Sequence, residues 1–322
     1  MSFLKSFRIY IINNLIEILL LILFFNRTIR HYKITKKKRL CVRPSKMGKV
    51  QKNFLPEMNA FIQDIHLDQY KRLATAELLS RQNIRERGFS FNIYDLLKES
   101  EKIRLLEIAL SNKIIDEAVG YFKFPPFLTG IQLIYNIPRA ELSQEGSKCW
   151  HRDGNVLKEF DVFTILSEVD TGSGPLYFLT DDNVGFHQTI RAVRKGHDES
   201  PWARGRIADD QMNLYVGNDG QVGLTGSCGD TVMIDASRTY HKGGFCRGND
   251  RLMFRCYFGL KGASIHEDKI FGISSNNDYF RTLRKDEWFK FNLIFHSKSV
   301  VRNFLIDRIY RMDKHTKIQL GA

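Results

Sequence analysis

The chain has 322 residues, 43% hydrophobic and 12% aromatic, enough to bury a sizeable core, and carries a formal charge of +13. That charge fits an anionic partner (nucleic acid, a membrane surface or an acidic substrate) and is silent about the fold. The five cysteines, Cys41, Cys149, Cys228, Cys246 and Cys256, are odd in number and never form a CxxC pair, which argues against a disulfide framework and a structural zinc site and for a reducing compartment.

An apolar run over residues 9–25 is interrupted by Asn13, Asn14 and Glu17. A spanning helix wants about 20 mostly apolar residues, and no small-residue cleavage site follows as in a signal peptide. Behind it the chain turns basic: Arg27, Arg30, Lys33, Lys36, Lys37, Lys38, Arg39, Arg43, Lys46 and Lys49. An apolar helix beside a polybasic segment combines two weak anchors for a membrane surface. The equal alternative is a helix packed on the protein's own domain, followed by a solvated linker. The expectation for residues 1–50 is peripheral membrane contact or such packing, with the rest of the chain cytoplasmic, at the cytoplasmic face of that membrane if contact is made.

Residues 53–122 have a mostly helical pattern. The stretch 74–83 is rich in helix formers. Over 93–110, Ile93, Leu96, Leu97, Ile103, Leu106 and Leu110 recur at helical spacing, and Leu105 and Ile108 widen the stripe. The stretch 112–122 repeats the pattern at Ile114, Ile115, Ala118 and Phe122, and Pro125-Pro126 closes it. After that the texture becomes β: 127–137, 160–169, 176–179, 231–235 and 251–260 read as strands, separated by glycine turns and without intervening helices. The polar stretch 180–219 reads as a long loop over a substrate space, carrying Trp202, Arg191, Arg194, Lys195, Arg204 and Arg206. Helical texture returns in 286–295 and 300–312. The fold class expected is α+β, mainly β: an antiparallel sandwich or jelly roll with flanking helices.

The chemistry gathers around Trp150-His151-Arg152-Asp153. If this segment is extended, His151 and Asp153 point to one side, because strand side chains alternate. His241 follows much later, and Arg251 ten positions after it. Two imidazoles and a carboxylate form the facial triad that holds a non-haem Fe(II) and leaves positions open. An arginine offers two parallel hydrogen bonds to a distal carboxylate, and an iron-chelating 2-oxoacid with such a carboxylate is 2-oxoglutarate. Arg255 competes for that part, four positions on and on the same strand face. His187 and His197 sit in the polar loop and read as solvated.

These residues, with Gly174-Pro175-Leu176, Gly229-Asp230-Thr231-Val232-Met233-Ile234-Asp235, His241-Lys242-Gly243-Gly244 and Asn249-Asp250-Arg251, resemble the phytanoyl-CoA dioxygenase-like family over roughly residues 112–260. The resemblance implies a double-stranded β-helix (jelly roll, cupin-like) core with helical N- and C-terminal extensions. It implies Fe(II), 2-oxoglutarate and O2, with ascorbate as an accessory. His151, Asp153 and His241 would be the iron ligands and Arg251 would take the 2-oxoglutarate carboxylate. Gln132, Tyr135 and Thr164 are further co-substrate contacts to expect. Halide-transferring relatives lack the carboxylate, so Asp153 marks a hydroxylase that converts 2-oxoglutarate to succinate and CO2 while hydroxylating a small or lipid-like molecule. The implied organisation is residues 1–50 as helix and basic linker, 51–262 as the oxygenase domain (scaffold 51–126, core 127–262) and 263–322 as a basic helical extension.

Other classes fit less well. His151-Arg152-Asp153 also begins a protein-kinase catalytic loop, but the required Asn is Lys158 here and no glycine-rich loop precedes it. A catalytically inactive oxygenase-fold protein acting at a membrane surface is the alternative from another class, and the complete ligand set weighs against it. Nucleic acid is not an expected partner, since the basic residues near both ends come with no recognition motif.

Overall fold

The computed structural model describes residues 47–80, 90–138, 144, 146–153, 158–179, 206–216, 220–260, 262–263 and 267–295. The apolar run 9–25, the basic segment up to Lys46, His187, His197 and the predicted helix 300–312 lie outside these residues, as does most of the loop 180–219. Among the described residues no helix is long and apolar enough to cross a membrane.

Four helices precede the core: α1 (Glu57–Asp64), α2 (Leu67–Ser80), α3 (Glu99–Ala109) and α4 (Asn112–Phe122), with a short strand β1 (Ser90–Asn92) and a 3-10 turn (Ile93–Leu96) before α3. Helix α4 follows the spacing of its apolar residues: Ile114, Ile115, Ala118 and Phe122 are buried. It ends at Lys123, which turns left-handed with φ 65° before Pro125-Pro126. The helix expected over 93–110 is divided instead. Leu97 and Lys98 are extended, and the Glu101 carboxylate accepts the Lys98 backbone N–H at 2.8 Å to start α3. A polar cap and the burial of Ile93 and Leu97 on a separate turn override the apolar periodicity.

Eight of the described strands form two antiparallel sheets. One has the order β1-β2-β8-β3-β6, with β2 at Phe127–Asn136, β3 at Phe160–Ile165, β6 at Thr231–Ile234 and β8 at Arg251–Gly259. The other has the order β5-β4-β7, with β4 at Leu176–Leu179, β5 at Gln221–Leu224 and β7 at His241–Gly243. Alternation along each strand sorts two cores. Phe160, Val162, Leu133, Phe254 and Phe258 face the helices and pack with Phe122 and Phe124. Phe163, Ile165, Val232, Ile234 and Met253 face the small sheet and meet Leu176, Phe178 and Leu224. The result is the expected double-stranded β-helix, a jelly roll with helices on the outside of its large sheet.

The Gly-Pro and Gly-Gly motifs have a packing reason. Gly174 has φ 66°, and a Cβ there would lie 2.5 Å from the Phe245 carbonyl carbon; one on Gly244 would lie 2.7 Å from the Pro175 oxygen. Only glycine lets these two turns close on each other.

Two further expectations are corrected. The stretch 180–219 is not one loop, since α5 (Asp209–Val216) forms within it and Ile207 pairs with Trp150. Among its described side chains the buried anchor is Met212, which packs with Trp150, Leu179, Ile207 and Tyr240, and Asp209 pairs with Lys242. Tertiary contacts make this helix, so periodicity was blind to it. Near the other end, the helix predicted over 286–295 forms as α7 (Trp288–Ile294), and a helix that was not expected, α6 (Asp278–Asp286), precedes it after a small hairpin of β9 (Lys269–Ile270) and β10 (Ile273–Ser274). Asn277 caps α6 by accepting the Tyr279 N–H at 2.8 Å. The described cysteines, Cys149, Cys228, Cys246 and Cys256, are all free thiols.

Candidate metal centre

His241 opens β7, opposite Phe178 of β4, and so points between the two sheets. The segment before it in space is extended as expected: His151 exchanges backbone hydrogen bonds with His241 at 3.0 and 2.9 Å, and the Asp153 N–H donates to the Ala236 carbonyl at 2.8 Å. This pairing sets the rings 4.4 Å apart, centre to centre. Asp153 Oδ1 lies 3.7 Å from His151 Nε2 and 3.9 Å from His241 Nε2. One ligand atom from each of the three falls within 4.8 Å of the others.

The rings are oriented by the backbone. His151 Nδ1 lies 2.9 Å from the Cys149 carbonyl and His241 Nδ1 lies 3.1 Å from that of Thr239. A carbonyl can only accept, so each Nδ1 carries the proton and each Nε2 turns a lone pair toward Asp153. Burial lowers the pKa of both, His241 to about 4 with the help of its His151 neighbour. Both are therefore neutral near pH 7, the form that binds metal. Burial pushes the Asp153 carboxyl up, but His241 and Arg255 together outweigh it and hold it below its usual value. Two neutral imidazoles and one carboxylate on one side fit a divalent transition metal such as Fe(II).

The sheet register separates the two arginines. Arg255 donates to Asp161 at 2.6 Å and to Asp153 at 3.0 Å, so it clamps the carboxylate of the triad to a fully buried aspartate. Arg251 is on the same face of β8, buried, and donates to the Gly174 carbonyl and, at 2.9 Å, to Asn136 Oδ1. Both acceptors are neutral, and its Nε has no partner among the described residues. Of the two, Arg251 is the cation whose hydrogen bonds go to no carboxylate.

The same register sorts the remaining expected contacts. Gln132 pairs opposite Arg255 and shares its inward face. Tyr135 pairs opposite Leu252 and faces the helices, with Lys71 over its ring at 5.5 Å. Thr164 bonds Thr231 at 2.9 Å on that outer face too. Neither Tyr135 nor Thr164 is placed to touch a molecule at the triad; the inward neighbour on β2 is Asn136. The chemistry of each residue type suggested a contact, and strand parity decided against it. Alternation from Gln132 would have pointed to Asn136. Trp150 and Arg152 serve packing: Trp150 is fully buried and Arg152 lies 5.0 Å from the Tyr240 ring centre.

Glu159, just before β3, is buried beside this cluster. Burial, with the charge of Asp161, pushes its carboxyl up to about 8. A carboxyl raised above its unfolded value keeps its proton in the folded state where the unfolded chain has lost it. Stability therefore falls as pH rises from about 4.5, the ordinary glutamate value, to 8. Glu159→Gln cannot titrate, so the melting temperature of this variant relative to wild type is expected to increase from pH 5 to pH 8. A difference that stays flat over that window, in thermal melts of the metal-free protein, would remove this account of Glu159.

No protein-family model matches the chain, and no curated protein does. Among solved structures it is similar to AviO1 from Streptomyces viridochromogenes Tue57 (16% identity, 65% of this chain and 86% of that one, TM-score 0.39). It is also similar to EctD from S. alaskensis with bound Fe (14% identity, 66% and 72%, TM-score 0.40). A third is HygX from Streptomyces hygroscopicus with nickel and 2-oxoglutarate bound (12% identity, 66% and 82%, TM-score 0.41). The metal centre stands on this chain's own residues: a jelly roll that brings His151, Asp153 and His241 together between its sheets.

Proposed function

We propose that this protein is an Fe(II)/2-oxoglutarate-dependent dioxygenase that hydroxylates a small or lipid-like molecule. The observation that carries the reading is the convergence of His151, Asp153 and His241 with both Nε2 atoms turned to one point. Arg251 supports it, as a buried cation on the same side of the large sheet, suited to the far carboxylate of the co-substrate. Iron, when bound, supplies the oxygen activation that couples conversion of 2-oxoglutarate to succinate and CO2 with hydroxylation. The protein's own part is to position and to exclude water. The Cys149 and Thr239 carbonyls hold the imidazoles, Arg255 holds the Asp153 carboxylate, and the aromatic and aliphatic core packed between the sheets excludes water there. The basic residues before position 50 would keep this activity at the cytoplasmic face of a membrane.

The test is succinate formed from 2-oxoglutarate in air by the full chain, with and without Fe(II). Succinate that requires iron is the expected result. Failure of the iron-loaded protein to bind 2-oxoglutarate would overturn the reading and favour a binding protein on an oxygenase fold.

A further inference from the structure

The inward faces of β3 and β8 continue past the triad, on the side away from Arg251. Along β8 the alternate residues Arg251, Met253, Arg255 and Tyr257 share one face, and Arg255 marks the level of the triad because it holds Asp153. The next inward residue beyond Arg255 is Tyr257, and Arg251 lies the other way. Opposite Tyr257 on β3 stands Asp161, the second partner of Arg255. Glu159 comes two positions before Asp161, a strand rise of about 7 Å. Its carboxyl feels the charges of Asp161, Arg255 and Asp153, which puts it on the same side of the sheet. Tyr257 leaves room there: a Cβ on its cross-strand partner Gly130 would lie 2.2 Å from the ring, so the ring leans toward β2 and away from β3.

Acceptors outnumber donors in this cluster. Arg255 is engaged by both Asp161 and Asp153, and Asp161 Oδ2 is buried with no partner among the described residues. Lys158 turns to the helix side, 4.6 Å from the Tyr121 ring centre, and Arg238 lies 3.7 Å from Asp235. Glu159 is only 6% exposed, and its carboxyl has no hydrogen-bond partner among the described residues. A carboxyl removed from water without a partner is costly, and that cost shows in its being pushed up to about 8. What the cluster lacks is a donor, and beside three carboxyls that share one guanidinium the donor that fits best is a cation.

We propose that Glu159 is a specificity-determining residue that binds a protonated amine of the substrate, on the side of the metal centre opposite Arg251. This rests on the proposed function and deepens it by naming the substrate class: small or lipid-like molecules that carry a basic nitrogen. The ammonium supplies the charge that lets Glu159 ionise in place, and its distance from the triad along β3 sets which carbon of the substrate meets the metal.

The experiment is calorimetry on the full chain loaded with Mn(II), which binds without turnover, and with 2-oxoglutarate. The probes are butylamine, hexylamine and cyclohexylmethylamine, protonated near pH 7, each beside the alcohol of the same skeleton. At least one amine is expected to bind about tenfold or more tightly than its alcohol, and Glu159→Gln to weaken that amine by about ten- to hundredfold, the range for one hydrogen bond between charged groups. The alcohol should stay within about twofold of wild type, as should Mn(II), which rules out an effect routed through Asp153. Glu159→Asp keeps the charge on a shorter arm and should lose less amine affinity than Glu159→Gln. Should Glu159→Gln not fold, Glu159→Asp takes its place and is expected to weaken the amine by about threefold or more with the alcohol unchanged. A wild-type protein that prefers no amine over its alcohol overturns the subsite, as does an equal loss of amine and alcohol in the variant. Failure of the Mn(II)-loaded wild type to bind 2-oxoglutarate is a separate result: it overturns the proposed function, and the amine titrations on the metal-loaded protein still decide the role of Glu159.

Discussion

A His151→Ala variant is expected to bind Fe(II) or Mn(II) more than about a hundredfold more weakly and to form no succinate from 2-oxoglutarate. Losing only an outer partner of a metal ligand typically costs about 10–100-fold in metal affinity, so losing a ligand costs more. The fold should survive, because His151 joins His241 through backbone atoms, its N–H to the His241 carbonyl and its carbonyl to the His241 N–H. Alanine keeps both bonds. The variant therefore separates the metal site from the scaffold, and the measurement is calorimetry with Mn(II) beside a succinate assay with Fe(II). Succinate released at the wild-type rate would end this ligand assignment.

Arg255→Met is expected to weaken both the fold and the metal site. Asp161 is 0% exposed and takes its hydrogen bond from Arg255 at 2.6 Å. Removing one partner of a buried ion pair costs about 3–5 kcal/mol, because the other is left uncompensated. Burial already pushes the Asp161 carboxyl up to about 6 against the pull of Arg255. Without the arginine it takes up a proton instead of staying charged, which places the cost toward the lower end of that range. Metal affinity should fall by about 10–100-fold, as Asp153 loses the guanidinium that orients it. Changing Asp161→Asn in the same chain should recover part of the stability and none of the metal affinity, since Asp153 still lacks its clamp. Denaturant unfolding of the metal-free protein and Mn(II) calorimetry check the two effects; a variant unchanged in both would show that the Arg255 bridge has no role.

The elements legible in the sequence are those made by local forces. Helix α4 follows from apolar spacing and a Pro-Pro stop, and β2, β3, β4, β6 and β8 from β-branched and apolar runs between glycine turns. Helix α5 was not legible, because Met212 is buried by partners far away in the chain, Trp150, Leu179 and Tyr240. The break at Leu97-Lys98 was hidden under a continuous apolar stripe that two separate elements share.

For the candidate site, the residue types and their order were enough to single out His151, Asp153 and His241, whereas Arg251 and Arg255 stayed in competition on the residues and only the family resemblance implied Arg251. The further contacts expected there, Gln132, Tyr135 and Thr164, could not be ranked by residue type alone. Which face of each strand looks inward depends on pairing with β8 and on which side the helices cover. Only the tertiary structure decided that Asn136 faces in while Tyr135 and Thr164 face out, and that Arg255 belongs to Asp153 and Asp161. A sequence carries the period of a strand but not its phase against a distant partner, and that phase is what places a charge beside the metal or on the far side of the sheet.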